Sequence, residues 1–274
     1  MSPVPTAIVI RELQTLSELT EVEQLQKEVW GVADREVLPA LAMIPLQAVG
    51  GILLGAFAAE KLIGFSFAFP GIENGKPILH SDMLAVKPDY RSLGLGLLLK
   101  LEQRKYALDK GIDTITWTFD PLQALNAHLN FGKLGVISNR YHVNYYGETT
   151  SFLHSTGTDR LWVTWKLDSE RVKERIEQRR LAETAAGLVI LRVGEDGEEP
   201  VMSTSHDAMK LWLEIPGDFN RLVRENIELA VRWREATREV FTNAISAGYV
   251  VKDFEFVRTP ERSLGRYVLM SDML

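Results

Sequence analysis

The chain has 274 residues, 46% of them hydrophobic and 25% charged, which is ample material for one large globular domain or two small ones. A net charge of -6 and a pI near 5.5 argue against a nucleic-acid binder, which would carry a basic face. The absence of cysteine excludes disulfides, thiolate metal sites and a cysteine nucleophile.

His80, His128, His142, His154 and His206 include no i,i+4 pair, so no metal site is expected. The opening MSPVPTAIVIRELQ lacks the basic and apolar regions of a signal peptide. The apolar window Val37 to Phe57 is broken by Pro39, Pro45, Gly50, Gly51 and Gly55, and reads as helix, turn and strand instead of a membrane span. The expectation is a cytoplasmic protein with neither nucleic acid nor membrane as partner.

In chain order, Ala7 to Ile10 reads as a strand. Ser17 to Val29 has helical spacing of Leu19, Val22, Leu25 and Val29, with Ser17 or Thr20 as cap. Leu38 to Val49 reads as a second helix stopped by Gly50-Gly51. Ile52 to Ala58 and Ile63 to Phe69 form a hairpin around Ala59 to Leu62, and Ile78 to Val86 is a third strand. Leu93 to Lys110 is a helix closed by Gly111. Thr114 to Phe119 is a strand, Leu122 to Leu134 a helix ending at Gly135, and Val136 to Tyr146 and Leu161 to Leu167 are further strands. Ser169 to Ala186 reads as a charged connector helix, and the stretch 194 to 200 as a turn or linker. A strand near Leu211 to Ile215 follows, then a long helical pattern through Val231, Val240, Phe241 and Ile245 that stops at Gly248. Strands at Tyr249 to Arg258 and Arg266 to Met270 end the chain. The pattern is mixed α/β, with an antiparallel meander followed by a crossover helix.

The stretch LAVKPDYRSLGLGLLLK, Leu84 to Lys100, is the informative one. A strand runs through a glycine-containing turn into a helix start. First-turn N–H groups have no intrahelical partner and the helix dipole is positive there, so such a turn suits phosphate. The dinucleotide fingerprint G-x-G-x-x-G fails because Leu99 stands at its third glycine, and the P-loop G-K-[ST] is missing.

What remains, Arg91-Ser-Leu-Gly-Leu-Gly96, resembles the pyrophosphate loop of the GNAT superfamily of acyl-CoA-dependent N-acyltransferases. Ala127-His-Leu-Asn-Phe-Gly-Lys-Leu-Gly-Val136 is similar to that family's second segment, A-x-x-L-Y-E-K-L-G-F. The resemblance covers residues 6 to 167. It implies a GNAT-type α/β fold, with a mixed, mostly antiparallel sheet flanked by helices and a smaller C-terminal α+β unit. The domain reading is 1–167 for acyl transfer, 168–200 as connector and 201–274 as extension. Arg262-Ser-Leu-Gly265 repeats four letters of the loop but precedes a strand, and reads as a turn.

By the same resemblance, Met83, Leu84, Ala85 and Val86 lie along the pantetheine arm. Arg91, Ser92, Leu93, Gly94, Leu95 and Gly96 cradle the pyrophosphate, and Asn126 touches CoA. Acetyl-CoA or another acyl-CoA is the implied co-substrate, with no metal. Acyl transfer needs a neutral amine, hence a base. His80 and Asp82, two apart on a strand and so expected on one side, stand where the family places its base. Phe131 replaces the family's usual tyrosine acid, leaving Tyr141, Tyr145 or Tyr146 for that role, or unassisted thiolate departure. Asn126 and Asn130, at i,i+4, are expected to share a helix face.

Arg140 suits a carboxylate by a bidentate bond, with Tyr141 beside it. The acceptor expected is a small-molecule amine, an amino acid or derivative, and the acyl group acetyl or succinyl. The competing reading is a non-catalytic acyl-CoA-binding or sensing module. A homodimer is left open.

Overall fold

The computed structural model describes residues 7–151, 154–178, 187–194, 199–203, 208–258 and 263–271. The far half of the expected connector helix, much of the 194–200 turn, His206 and Arg262 lie outside the described residues. The chain divides into two compact units, one running to Trp117 and taking in a short segment from Thr149, the other holding Thr118–Glu148 and the rest. That division, made by contacts, falls near residue 117; the motif-based boundary stands at 167.

In the first unit, β1 (Ile8–Glu12), β2 (Ile52–Ala58), β3 (Lys61–Glu73) and β4 (Lys76–Val86) form an antiparallel meander. The hairpins suit their turns. Asn74 and Gly75 both take positive φ, 51° and 75°, as a type I′ connection requires between right-twisting strands. Two helices, α1 (Leu16–Trp30) and α2 (Ala40–Ala48), precede β2. Their buried side chains Leu19, Val22, Leu25, Val29, Ala40 and Met43 pack with Leu53, Phe65, Phe67 and Ala85 of the sheet. The crossover helix α3 (Leu95–Asp109) then leads to β5 (Thr114–Phe119).

Thr15 caps α1, in place of the expected Ser17 or Thr20. Its Oγ1 accepts from Glu18 N at 3.2 Å, while Glu18 accepts from the N–H groups of Gln14 and Thr15 at 2.8 and 3.0 Å. This is a capping box, reinforced by Arg11 at 2.6 Å from Glu18. Partial burial of Glu18 raises its carboxyl pKa, but the Arg11 and backbone donors outweigh that and hold it down at about 2. A depressed carboxyl stabilises the fold above its unfolded value and loses that contribution as pH falls towards 2. Glu18→Gln should therefore cost about 1 kcal/mol at pH 7. Thermal unfolding of the two proteins should converge between pH 4.5 and 2; a constant gap would disprove the account of the box.

In the second unit α4 (Ala124–Ala127) continues as a π-helical stretch His128–Leu134 before Gly135 turns left-handed at φ 73°. After it come β6 (Ile137–His142), β7 (Arg160–Lys166), α5 (Glu170–Ile176), β8 (Leu188–Val193), β9 (Pro200–Met202), β10 (Lys210–Pro216), α6 (Phe219–Glu225), α7 (Ile227–Ser246), β11 (Tyr249–Arg258) and β12 (Ser263–Ser271). Pairing runs β7-β6-β11-β12-β10-β8-β9, with only β8 and β10 parallel. The residues from 201 onward thus continue the sheet of β6 and β7, joining it at Val251↔Ser138.

Helix α7 supplies this unit's core through Leu229, Trp233, Val240 and Phe241. It also buries Arg234, whose two terminal nitrogens each donate to Asp120 at 2.7 Å. One turn on, Arg238 pairs with the fully buried Asp159 at 2.9 and 3.0 Å. No helix among the described residues is long and apolar enough to cross a membrane.

Candidate functional site

Strand β4 carries a bulge. Phe67 faces Met83 and Phe69 faces His80, so Ser81 and Asp82 together stand opposite the single residue Ala68. Directly paired residues share a sheet face. Phe67, Phe69 and Met83 pack on the α1 and α2 side, and the His80 ring lies 5.5 Å from Phe69. Register parity then puts Ser81 and Asp82 on the opposite face, the α3 side. The expectation that His80 and Asp82 face one side rests on strict alternation, which the extra residue breaks.

On its other edge β4 meets β5 in parallel, through Leu79↔Ile115 and His80↔Thr116 alone. From Ser81 to Val86 the strand has no registered partner in β5 among the described residues, so that edge is left without a sheet neighbour, the Val86 carbonyl on it being met by Arg91. His80 sits at the point of divergence. Its Nδ1 lies 3.0 Å from Thr116 Oγ1, a contact that fixes the ring's orientation. Asp82 is exposed at its edge, yet the surrounding protein desolvates it and raises its carboxyl pKa.

The strand ends in a 3-10 turn, Pro88–Leu93, and α3 starts from Gly94 at φ 70°. A left-handed residue is needed to swing the chain from the turn into the helix, and glycine takes that conformation without strain. Leu97 and Leu98 donate to the Gly94 carbonyl at 3.0 and 3.2 Å. The N–H groups of Leu95 and Gly96 precede the first intrahelical donor, and point from the positive end of a helix of 15 residues. Arg91 is exposed and folds back so that its Nε lies 3.4 Å from the Val86 carbonyl. Arg91, Gly94, Leu95 and Gly96 are thus contiguous with the open edge of Met83 to Val86. Of Ser92 only the backbone is described, within the turn.

Sequence reasoning missed one group here. Lys100, on α3, is 3% exposed; its Nζ donates to Ser81 Oγ at 2.8 Å and lies 3.7 Å from the Trp117 ring centre. Desolvation lowers its pKa to about 7. A lysine in the leucine-rich run was the available signal.

Asn126, Arg140 and Tyr141 belong to the second unit. Asn126 is exposed while Asn130 is buried, because the helix changes to the wider π form between them and the i,i+4 face is lost. Arg140 lies 4.6 Å over the Trp162 ring. Tyr141, expected beside the substrate, donates its hydroxyl to Asp159 at 2.7 Å and stacks on Phe241. Burial, then the Asp159 charge, raises that phenol well above the ordinary range, so it holds its proton. Tyr145 and Tyr146, expected within a strand, lie in the turn after β6 and are exposed. Phe131 is fully buried against Phe119 and Tyr267.

No protein-family model matches the chain, and no curated protein does. Among solved structures, it is similar to the ribosomal-protein-S18-alanine N-acetyltransferase from Escherichia coli, at 17% identity and a TM-score of 0.47, over 60% of this chain and 96% of that one. The aminoglycoside 6'-acetyltransferase type Ii gives 18% identity and a TM-score of 0.46, over 59% and 99%. A GNAT family acetyltransferase from Elizabethkingia anophelis with acetyl-CoA bound gives 15% and 0.44, over 58% and 97%.

Proposed function

We propose that this protein transfers an acyl group from acyl-CoA to the amine of a small molecule. One observation carries the reading. The parallel pairing of β4 and β5 stops at His80↔Thr116, and the same open strand runs through left-handed Gly94 into the free N-terminus of α3. An extended acyl-pantetheine arm can add to such an edge as a further strand does, and its pyrophosphate can take the N–H groups of Leu95 and Gly96. The sequence resemblance of residues 6 to 167 to the GNAT superfamily points the same way.

In this reading Met83 to Val86 line the pantetheine and Arg91 to Gly96 hold the pyrophosphate. His80 removes the amine proton, directly or through water, with Thr116 fixing its orientation. Asp82, on the bulge, acts separately from His80. The attacking nitrogen displaces the CoA sulfur from the acyl carbon, and open backbone N–H groups of β4 can steady the developing oxyanion. The thiolate leaves unassisted or takes a proton from solvent. The acceptor is an amino acid or a derivative. Acetyl and succinyl are the acyl groups to be compared.

Because the chain has no cysteine, a thiol reagent sees only released CoA. Acetyl-CoA and succinyl-CoA are each incubated with pooled amino acids and with pooled polyamines. Release that depends on the amino-acid pool is expected. Tight CoA binding with no release would favour the sensing module, a reading supported by the buried phenylalanine at position 131. Arg91→Ala should weaken CoA binding about tenfold, the loss of one charge-assisted bond, and leave the melting temperature unchanged. Calorimetric titration checks both halves of that statement.

A further inference from the structure

The buried ammonium of Lys100 reaches two strands at once. Ser81 is the residue of β4 immediately after the last β4–β5 pair, and Trp117 is its counterpart on β5. One Nζ donates to the first at 2.8 Å and sits 3.7 Å from the ring centre of the second. Among the described residues no carboxylate pairs with it. A lone buried charge is costly, and here it stands where the sheet parts.

We propose that Lys100 is a positioning residue that sets the width of the opening between β4 and β5 by clasping both strands from the α3 side. The hydrogen bond fixes the first bulge residue, and the cation–π contact fixes β5 against it. Both arms weaken when the ammonium loses its proton, because the neutral amine is a poorer donor and has no charge for the ring. Burial brings that loss to about pH 7. Of the charged and titratable groups on the packed elements, Lys76, His80 and Asp82 lie on β4, Glu102, Arg104, Lys105, Tyr106 and Asp109 on α3, and Arg11 and Glu12 on β1; β2 and β5 carry none, and β3 only at its ends. Glu102 is held by Lys105 and Arg11 by Glu18.

The functional side of this proposal rests on the acyltransferase reading. The clasp itself does not, so the test has two arms. In the first, acetyl-CoA affinity and kcat are measured from pH 6 to 8.5 for the wild type and Lys100→Met, whose side chain is of similar length. The wild type should lose affinity about tenfold across that range, and the variant should be weak and flat. An unchanged affinity and profile in the variant would overturn the clasp and leave the acyltransferase reading standing. In the second arm, with no ligand, the backbone amides of Ser81 and Trp117 are followed by NMR beside the 13Cε signal of Lys100. They should shift with one common midpoint near neutrality. Amides that do not follow the lysine overturn the clasp, even if the protein binds no acyl-CoA and the acyltransferase reading has failed. Should Lys100→Met not fold, Ser81→Ala removes one arm of the clasp and should flatten both the affinity profile and the amide titration at His80 to Met83; wild-type profiles there would count against the proposal.

Discussion

Arg234→Met should destabilise the protein by roughly 3–5 kcal/mol, the cost of leaving a buried charge without its partner. Arg234 is 1% exposed, and both oxygens of Asp120 are bonded to it at 2.7 Å. Burial alone raises the Asp120 carboxyl pKa, but the Arg234 charge and hydrogen bonds outweigh it, with a further bond from Leu122 N, and hold it below the usual range. Without the arginine, burial prevails and the carboxyl goes up. The sign follows from linkage. In the wild type the pair's contribution is complete above the unfolded carboxyl value and is lost as pH falls. In the variant, acid relieves the stranded carboxylate. The stability gap should therefore be widest near pH 7 and narrow towards pH 4. Chemical unfolding at several pH values measures it. Asp120→Asn in the same chain should recover part of the loss. A gap under 1 kcal/mol at pH 7 would show that the pair contributes little.

His80→Ala should lower acyl transfer about 10²–10⁴-fold while CoA binding stays as it was, the expected effect of losing a general base. The histidine stands beside the open edge of β4, not along the stretch given to the pantetheine arm, which is why binding should survive. Thr116→Val should cost less, since it removes only the partner that fixes the ring at 3.0 Å. Asp82→Asn should lower turnover less than tenfold, because the bulge sets Asp82 on the other face. Single-turnover thiol release in each variant separates these outcomes. A loss in Asp82→Asn equal to that in His80→Ala would restore the pair as one unit.

Much of the first unit was legible in the sequence because its signals are local. The meander follows from three apolar runs, although the strands reach further into the turns than those runs do and leave two residues at each, and α3 follows from its leucines and Gly111. The strand–glycine–helix passage could be read from Leu84 to Gly96 alone. What was not legible depends on pairing or on distant partners. A bulge is a mismatch between two strands, so nothing within His80-Ser81-Asp82 declares it. The clasp of Lys100 needs Ser81 and Trp117, each 17 to 19 residues away, to be brought under one helix. The π form of His128–Leu134 defeats a face drawn at i,i+4. In the second unit, Arg234 and Arg238 sit on the apolar stripe of α7, an oddity the sequence carries. Their partners Asp120 and Asp159 are 114 and 79 residues away. Tyr141 looked available for substrate because its claim on Asp159 is equally remote.

The central claim is that the open edge of β4 and the start of α3 hold acyl-CoA together. Titration of acetyl-CoA into the labelled protein, followed by backbone amide shifts, tests it most directly. The account predicts saturable shifts at Leu95 and Gly96 together with Met83 to Val86. Millimolar acetyl-CoA that leaves those amides unmoved would contradict it.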